Sequence, residues 1–383
     1  MENTILAFLL EEINYQGVMA SIVLQPETIV ILVDTNKDLE DVKFSVKSIL
    51  ENNCINTNML LKSFRGDDLK MAQSFMEKEL QSINCISVTE SIDACSFIFM
   101  ETAKRFGVMS VFVDGENNKI IYSKDGIIEI MDKTLETNIE SIMALSGAGV
   151  IRQENSFYEM ESVKLVLEFL TQSYQIWTNA IQVIKRKASS VPFSPNPLFV
   201  RMDMANLDIK HSSDFMTFLK YLEGKSQIER VSTNNQQITF YFKDLSLKNF
   251  IFKTGSWLEA LVYKAVSELK QVDDIKCGVV FYWERSEGSP VNEIDVMASV
   301  DSRLVLISCK DTYELETAYL NELEVYGDML GGENTKKIIV LSNRHDNEKF
   351  IRRAEEMDID VLYFNGNYER FKEILKRSIE FLR

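Results

Sequence analysis

Asn292-Glu293-Ile294-Asp295-Val296, followed shortly by Leu304-Val305-Leu306-Ile307-Ser308-Cys309-Lys310, is the stretch on which the reading of this chain turns. The second run is apolar until its last three residues, as expected of a strand covered on both faces. The first sets a carboxylate inside an apolar strand. A carboxylate within one strand and a lysine at the end of the next can meet on one face of a sheet. Phosphodiester hydrolysis uses that arrangement: carboxylates hold Mg²⁺ or Mn²⁺, and a lysine positions the nucleophile or neutralises developing charge. Read singly, each residue has a plainer explanation, since a strand-end lysine commonly snorkels to solvent.

The elements on either side fit one mixed sheet. The spacing predicts a helix over 256–269 carrying Glu259, strands over 278–283, 293–298 and 304–309, a helix over 318–327, a strand over 337–341 and a helix over 348–357. Further toward the N-terminus, the loop 189–197 holds Pro192, Pro195 and Pro197, which cannot continue a helix. Before it, 162–187 reads as one long helix ending in Lys185-Arg186-Lys187. After it, 213–221 reads as a helix, and 228–231 pairs with 237–242 across Ser232-Thr233-Asn234-Asn235 as a hairpin. That order suits a small winged-helix module or a structural spacer.

Thr28 to Val33 reads as a buried parallel strand, with a helix over 38–50, strands over 85–88 and 108–113, and a helix over 92–106. Ligands in such sheets bind beyond the carboxyl ends of strands. The loops Asp34-Thr35-Asn36 and Thr89-Glu90-Ser91 are therefore the candidate ligand contacts.

Composition narrows the function classes. At 383 residues the chain exceeds the roughly 250 residues at which single cores stop growing, so two or three domains are expected. A formal net charge of −16 argues against nonspecific coating of nucleic acid, though not against a local basic groove. Cys54, Cys85, Cys95, Cys277 and Cys309 are scattered and odd in number, which suits reduced thiols. Only His211 and His345 are present, so a metal site here would be built from oxygen ligands. Met1-Glu2-Asn3-Thr4 lacks a signal-peptide n-region and no apolar run nears the roughly 20 residues of a membrane span, so no membrane and a cytoplasmic location are expected.

Gly255-Ser256-Trp257-Leu258-Glu259 with Val262-Tyr263, then Asn292 to Val296, then Leu304 to Lys310, then Gly331-Gly332, stand in the order of a known pattern. Here the sequence resembles the CRISPR-associated effectors that join a CARF (CRISPR-associated Rossmann fold) sensor to a PD-(D/E)XK nuclease. The resemblance is carried by motifs over residues 250–365 and is architectural over the N-terminal half. It implies an α/β fold class: a Rossmann-like CARF sensor over 1–145, a helical and winged-helix-like segment over 146–250, and a PD-(D/E)XK restriction-endonuclease-like domain over 251–383. By the same resemblance Glu259, Asp295 and Lys310 are catalytic. Glu259, Asp295 and the Cys309 backbone carbonyl would hold Mg²⁺ or Mn²⁺, with Glu293 as a further ligand. Asp34, Thr35, Asn36, Thr89 and Ser91 would face a cyclic oligoadenylate or related nucleotide messenger across a homodimer, and the substrate would be single-stranded DNA, RNA, or nicked or supercoiled duplex.

The chain departs from that pattern in three places. Ser308 stands where the family has a glutamate, and Glu322 where it has a lysine. Thr89-Glu90-Ser91-Ile92-Asp93 replaces a glycine- and lysine-bearing loop, so Glu90 and Asp93 either repel an anion or cap the following helix. Because Mg²⁺ often takes only one or two protein carboxylates, activity could survive, and Glu293, at ~7 Å along the strand, could stand in for the absent ligand. Two readings follow: an active metal-dependent nuclease of antiviral defence, or a degenerate nuclease fold that senses or regulates. A winged-helix transcription factor ranks third.

Overall fold

The computed structural model describes residues 4–380 except 11–14, 36–45, 48, 52, 54, 89–92, 115–118, 133–136, 188–195, 235, 284–289, 302, 313, 332–334 and 343–346. Cys54, the candidate contacts Asn36, Thr89 and Ser91, most of the expected 38–50 helix and most of the proline loop lie outside the described residues.

The N-terminal sheet contains β1 (Ile5–Leu9), β2 (Thr28–Asp34), β3 (Asn58–Phe64), β4 (Cys85–Ser87), β5 (Met109–Asp114), β6 (Lys119–Lys124) and β7 (Ile127–Asp132). Its order is β3-β2-β1-β4-β5-β6-β7, with the first five strands parallel and β6 and β7 added antiparallel. This is the Rossmann-like arrangement expected. One correction changes where its ligand crevice falls. Thr28 opens the second strand, not the first: Ile5-Leu6-Ala7-Phe8-Leu9 precedes it and runs at the centre of the sheet. Its residues feed three apolar clusters on both faces, so the segment lacks the alternation that marks a strand with one wet face. The order reverses between β1 and β4, flanking the end of β1. Helices Leu69–Glu79 and Ala94–Arg105 are capped by Asp68 and Asp93, so Asp93 takes the capping role.

The C-terminal sheet holds β8 (Gly149–Arg152), β12 (Asp274–Tyr282), β13 (Val291–Val300), β14 (Arg303–Lys310), β15 (Lys336–Leu341) and β16 (Ile359–Tyr363), in the order β16-β15-β14-β13-β12-β8. β8, β12, β13 and β14 pair antiparallel, β14 to β16 parallel. Between β8 and β12 in sequence lies a three-stranded antiparallel sheet, ordered β10-β11-β9, of β9 (Phe199–Asp203), β10 (Ile228–Asn234) and β11 (Gln237–Phe242). The expected hairpin is therefore present, but its turn is shorter. Strand pairing continues to Asn234 opposite Gln237, with Gln236 in the left-handed region.

Residues 146–250 do not stand apart from the nuclease-like sheet. β8 is its edge strand, and one continuous apolar cluster runs from Tyr158 through helix Ile209–Gly224 and β11 to Val296, Ile307 and Ile379. The expected 162–187 helix is two, Glu161–Gln172 and Tyr174–Lys187, broken at Ser173 (φ −137°, ψ 47°). The break turns the Tyr174 ring edge-on to Phe364 at 5.0 Å, over Gly366, where a Cβ would lie 2.3 Å from the ring. Among the described residues no helix is long and apolar enough to cross a membrane, and Cys85, Cys95, Cys277 and Cys309 are free thiols.

Candidate active site

Helix Ser256–Ser267 starts at Gly255, which holds φ +89°, and is buried from Ser256 through Val262 on every side. A helix apolar all round belongs inside a core. Glu259 is the exception within it, 9% exposed. Burying an ionised carboxylate costs several kcal/mol unless it is paired, so its partners decide its state. The Tyr158 hydroxyl donates to Oε2 at 2.5 Å, and Lys253 Nζ stands 3.7 Å from the same oxygen. Ser256 Oγ donates to the carbonyls of Phe250 and Lys253, fixing the turn that brings Lys253 back over the helix start.

Asp295 lies at a slip in the sheet. Val296 and Ala298 pack in the same cluster as Cys277, whereas Ile294 and Met297 pack in the other with Val279 and Phe281. Alternation on β13 is therefore broken beside Asp295. On β12 it is broken at Gly278, which the register sets opposite Asp295 and which adopts φ +57°. Glu293, two residues before the slip, is exposed and acts electrostatically on Glu259. Asp295 Oδ2 accepts from the Cys309 N–H at 2.6 Å and the Ser308 hydroxyl at 3.3 Å. Ser308 thus touches Asp295 where the resemblance would have a second carboxylate.

The two carboxyls interact. Burial raises the Glu259 pKa, Asp295 raises it further and Glu293 adds to this, against the Tyr158 hydroxyl and Lys253. Burial likewise raises Asp295, against Lys310, the Cys309 N–H, Ser308 and Lys253. Lys310 therefore faces Asp295 electrostatically, and its Nζ sits 5.0 Å from the centre of the Tyr319 ring. All three sequence-derived catalytic candidates converge. Cys309 meets the site through its N–H, while its buried thiol belongs to the core. Glu322 is exposed and accepts from the Tyr326 hydroxyl at 2.9 Å.

Four further residues complete the site. Tyr158 and Lys253 are described above. Glu154 donates its N–H to the Cys277 carbonyl, and its Cγ would lie 3.0 Å from a Cβ at Gly278. Asp311 is 5% exposed at its side chain; it accepts from Trp257 Nε1 at 2.7 Å, Lys185 Nζ at 2.6 Å and Ser342 Oγ at 2.7 Å. Lys253 and Asp311 adjoin Gly255 and Lys310 in the chain, and that adjacency was a usable signal. Glu154 and Tyr158 lie about a hundred residues away and had none.

Among the described residues no three His, Cys, Asp or Glu side chains are grouped to hold a metal ion. The pair Glu259 and Asp295 nevertheless has the right donor chemistry. Mg²⁺ and Mn²⁺ take hard oxygen ligands, and Glu259 Oε1 and Asp295 Oδ1 carry no hydrogen bond among the described residues. At the sensor-like sheet, Asp34 and Thr35 end β2, with the Thr35 N–H donating to the Phe64 carbonyl. Burial, Asp93 and Asp34 all raise the Cys95 pKa, so the two acids share one crevice with that thiol.

No curated protein sequence matches this chain. Among solved structures it is similar to protein VC1899 from Vibrio cholerae, with a TM-score of 0.76, 15% identity and coverage of 98% of both chains. It is also similar to Can2 from Sulfobacillus thermosulfidooxidans, solved in complex with cyclic tetra-adenylate, with a TM-score of 0.68, 15% identity and coverage of 98% of this chain and 97% of that one. At such identities the likeness is one of fold, and it spans both sheets. Residues 248–380, which hold Glu259, Asp295 and Lys310, match the family model of the Card1-like endonuclease domain.

Proposed function

We propose that this protein is a metal-dependent endonuclease of antiviral defence, acting as a homodimer and switched on by a cyclic oligoadenylate or related nucleotide at its sensor-like sheet. The observation that carries the reading is the convergence of Glu259 and Asp295, two carboxyls whose pKa values burial raises and of which Asp295 raises Glu259 further, with Lys310 facing Asp295. Buried like charges in an endonuclease-type domain are a functional arrangement more often than a stabilising one.

Glu259, Asp295 and the Cys309 carbonyl would hold Mg²⁺ or Mn²⁺, with Glu293 as a further ligand. When bound, the ion supplies an activated water and polarises the phosphoryl oxygen. Glu259 is held for that task by Tyr158, and Asp295 by the Cys309 N–H. Lys310 supplies the positive charge that the developing oxyanion needs. Asp34, Thr35 and Asn36, with Thr89 and Ser91, are the proposed ligand contacts; of these, Asp34 and Thr35 lie at the end of β2, next to the strand beyond which the order reverses. The Can2 complex with cyclic tetra-adenylate supports that ligand class through the shared fold alone.

A second reading has one specific observation in its favour. The Ser308 hydroxyl occupies the side of Asp295 where a carboxylate is expected, which suits a nuclease fold that has lost turnover and senses or regulates. Incubating the protein with Mn²⁺ or Mg²⁺, with and without cyclic tetra-adenylate, on plasmid, single-stranded DNA and RNA separates the two. The nuclease reading expects metal-dependent cleavage that falls at least roughly a hundredfold in Asp295→Ala and Lys310→Ala. Cleavage at the parental rate in both variants removes these residues from the mechanism. A parent without cleavage, beside a Ser308→Glu variant that gains it, establishes the second reading.

A further inference from the structure

A cation already stands within the site. Lys253 ends helix Leu245–Phe252 and reaches back over the start of the next helix, so that its Nζ lies 3.7 Å from Glu259 Oε2. Its surroundings are more acidic than that single contact indicates. Burial lowers the Lys253 pKa, but the fields of Glu259, Glu154, Glu293 and Asp295 outweigh it, and the net shift is upward. One of these four, Glu154, belongs to the segment after β8, outside the residues that match the endonuclease family. Its side chain is held against Gly278, directly across the sheet from Asp295. Four carboxylates from three segments of the chain thus act on one ammonium, which pairs with Glu259.

We infer that Lys253 is the resident counter-ion of this carboxylate cluster, and that a divalent cation reaches Glu259 and Asp295 by displacing it. The inference rests on the metal-dependent reading above. An ammonium on a flexible four-carbon stem, 51% exposed at its side chain, can swing into water without unfolding anything. A divalent ion brings twice the charge but must shed water. It displaces Lys253 most readily when substrate phosphates complete its shell. Metal binding by the protein alone is therefore weak, and nucleic acid strengthens it.

Mn²⁺ titrations of the full-length protein without nucleic acid, followed by calorimetry and by thermal melting, test this. Lys253→Met and Lys253→Gln remove the charge; Lys253→Arg keeps it. Both neutral variants are expected to bind Mn²⁺ roughly tenfold more tightly than the parent. They should melt below the parent in EDTA and gain more from Mn²⁺, while Lys253→Arg stays near the parent. Equal or weaker Mn²⁺ binding by both neutral variants, beside measurable binding by the parent, overturns the counter-ion role and leaves the metal-dependent reading intact. No Mn²⁺ binding by parent or neutral variants also overturns the counter-ion role, while the metal-dependent reading is decided separately by the cleavage assay with nucleic acid.

Discussion

The two large sheets of this protein place their candidate chemistry differently. In the N-terminal sheet the polar candidates sit at strand ends, where a parallel array opens onto a crevice, while β1 is apolar throughout and β2 is apolar between Thr28 and Asp34. In the C-terminal sheet the decisive carboxylate lies within a strand, where the alternation of both β12 and β13 slips and Gly278 takes a left-handed conformation. A regular strand would send Asp295 to one face and leave it there. The slip sets it between the faces, where Glu259 of the packed helix and Lys310 of the neighbouring strand both act on it or are acted on by it. Site geometry thus follows loop sequence in the first sheet and backbone irregularity in the second.

The largest effect should come from removing that irregularity. Gly278→Val forces a β-branched residue into φ +57° and drives its Cβ against Glu154, where Gly126→Val at the turn between β6 and β7 meets φ +78° but nothing within 4 Å. Backbone strain of this kind costs about 1–3 kcal/mol. Gly278→Val is expected to lose roughly 1 kcal/mol more than Gly126→Val, because it also displaces Glu154. Urea denaturation of both variants measures the difference. Equal losses would show that the slip at Gly278 is not coupled to its neighbours.

How much of this was legible follows the same division. The C-terminal elements and the three residues Glu259, Asp295 and Lys310 could be read because each interrupts an otherwise apolar run, and interruptions survive in a linear sequence. β1 could not be told apart as the first strand, since a short apolar segment buried on both faces has no period to detect. The shared core of residues 146–250 with the nuclease-like sheet was equally hidden. β8 has four residues and finds its partner β12 only after more than a hundred intervening positions. The slip at Asp295 depends on Gly278 and Glu154, and nothing local announces that two strands lose their alternation together.

A second, smaller effect concerns the residue after Lys310. Asp311 joins Trp257 of the buried helix, Ser342 beyond β15 and Lys185 of the helix before the proline loop, so it anchors the end of β14 to three elements. Asp311→Leu leaves the Trp257 N–H and the Ser342 hydroxyl without this acceptor and is expected to cost about 2 kcal/mol. Asp311→Asn, which keeps an acceptor, should cost less than half of that. Thermal melting of the two variants checks the order.

The smallest effect is the one that reads the carboxyl pair directly. Burial raises the pKa values of Glu259 and Asp295, and Asp295 raises that of Glu259 further. In metal-free protein, therefore, the folded state holds protons that the unfolded state releases from about pH 4 upward. Stability falls wherever the folded state binds more protons, so these groups contribute fully below the ordinary carboxylate range and lose that contribution as pH rises through their raised values. Asp295→Asn keeps an acceptor for the Cys309 N–H while removing one of the two like charges. In EDTA the variant should melt above the parent near neutrality, with the gap closing on acidification, and Mn²⁺ should stabilise the parent more than the variant. If Asp295→Asn and the parent trace the same pH dependence in EDTA, the two carboxyls are not in mutual repulsion and the electrostatic basis of the site fails.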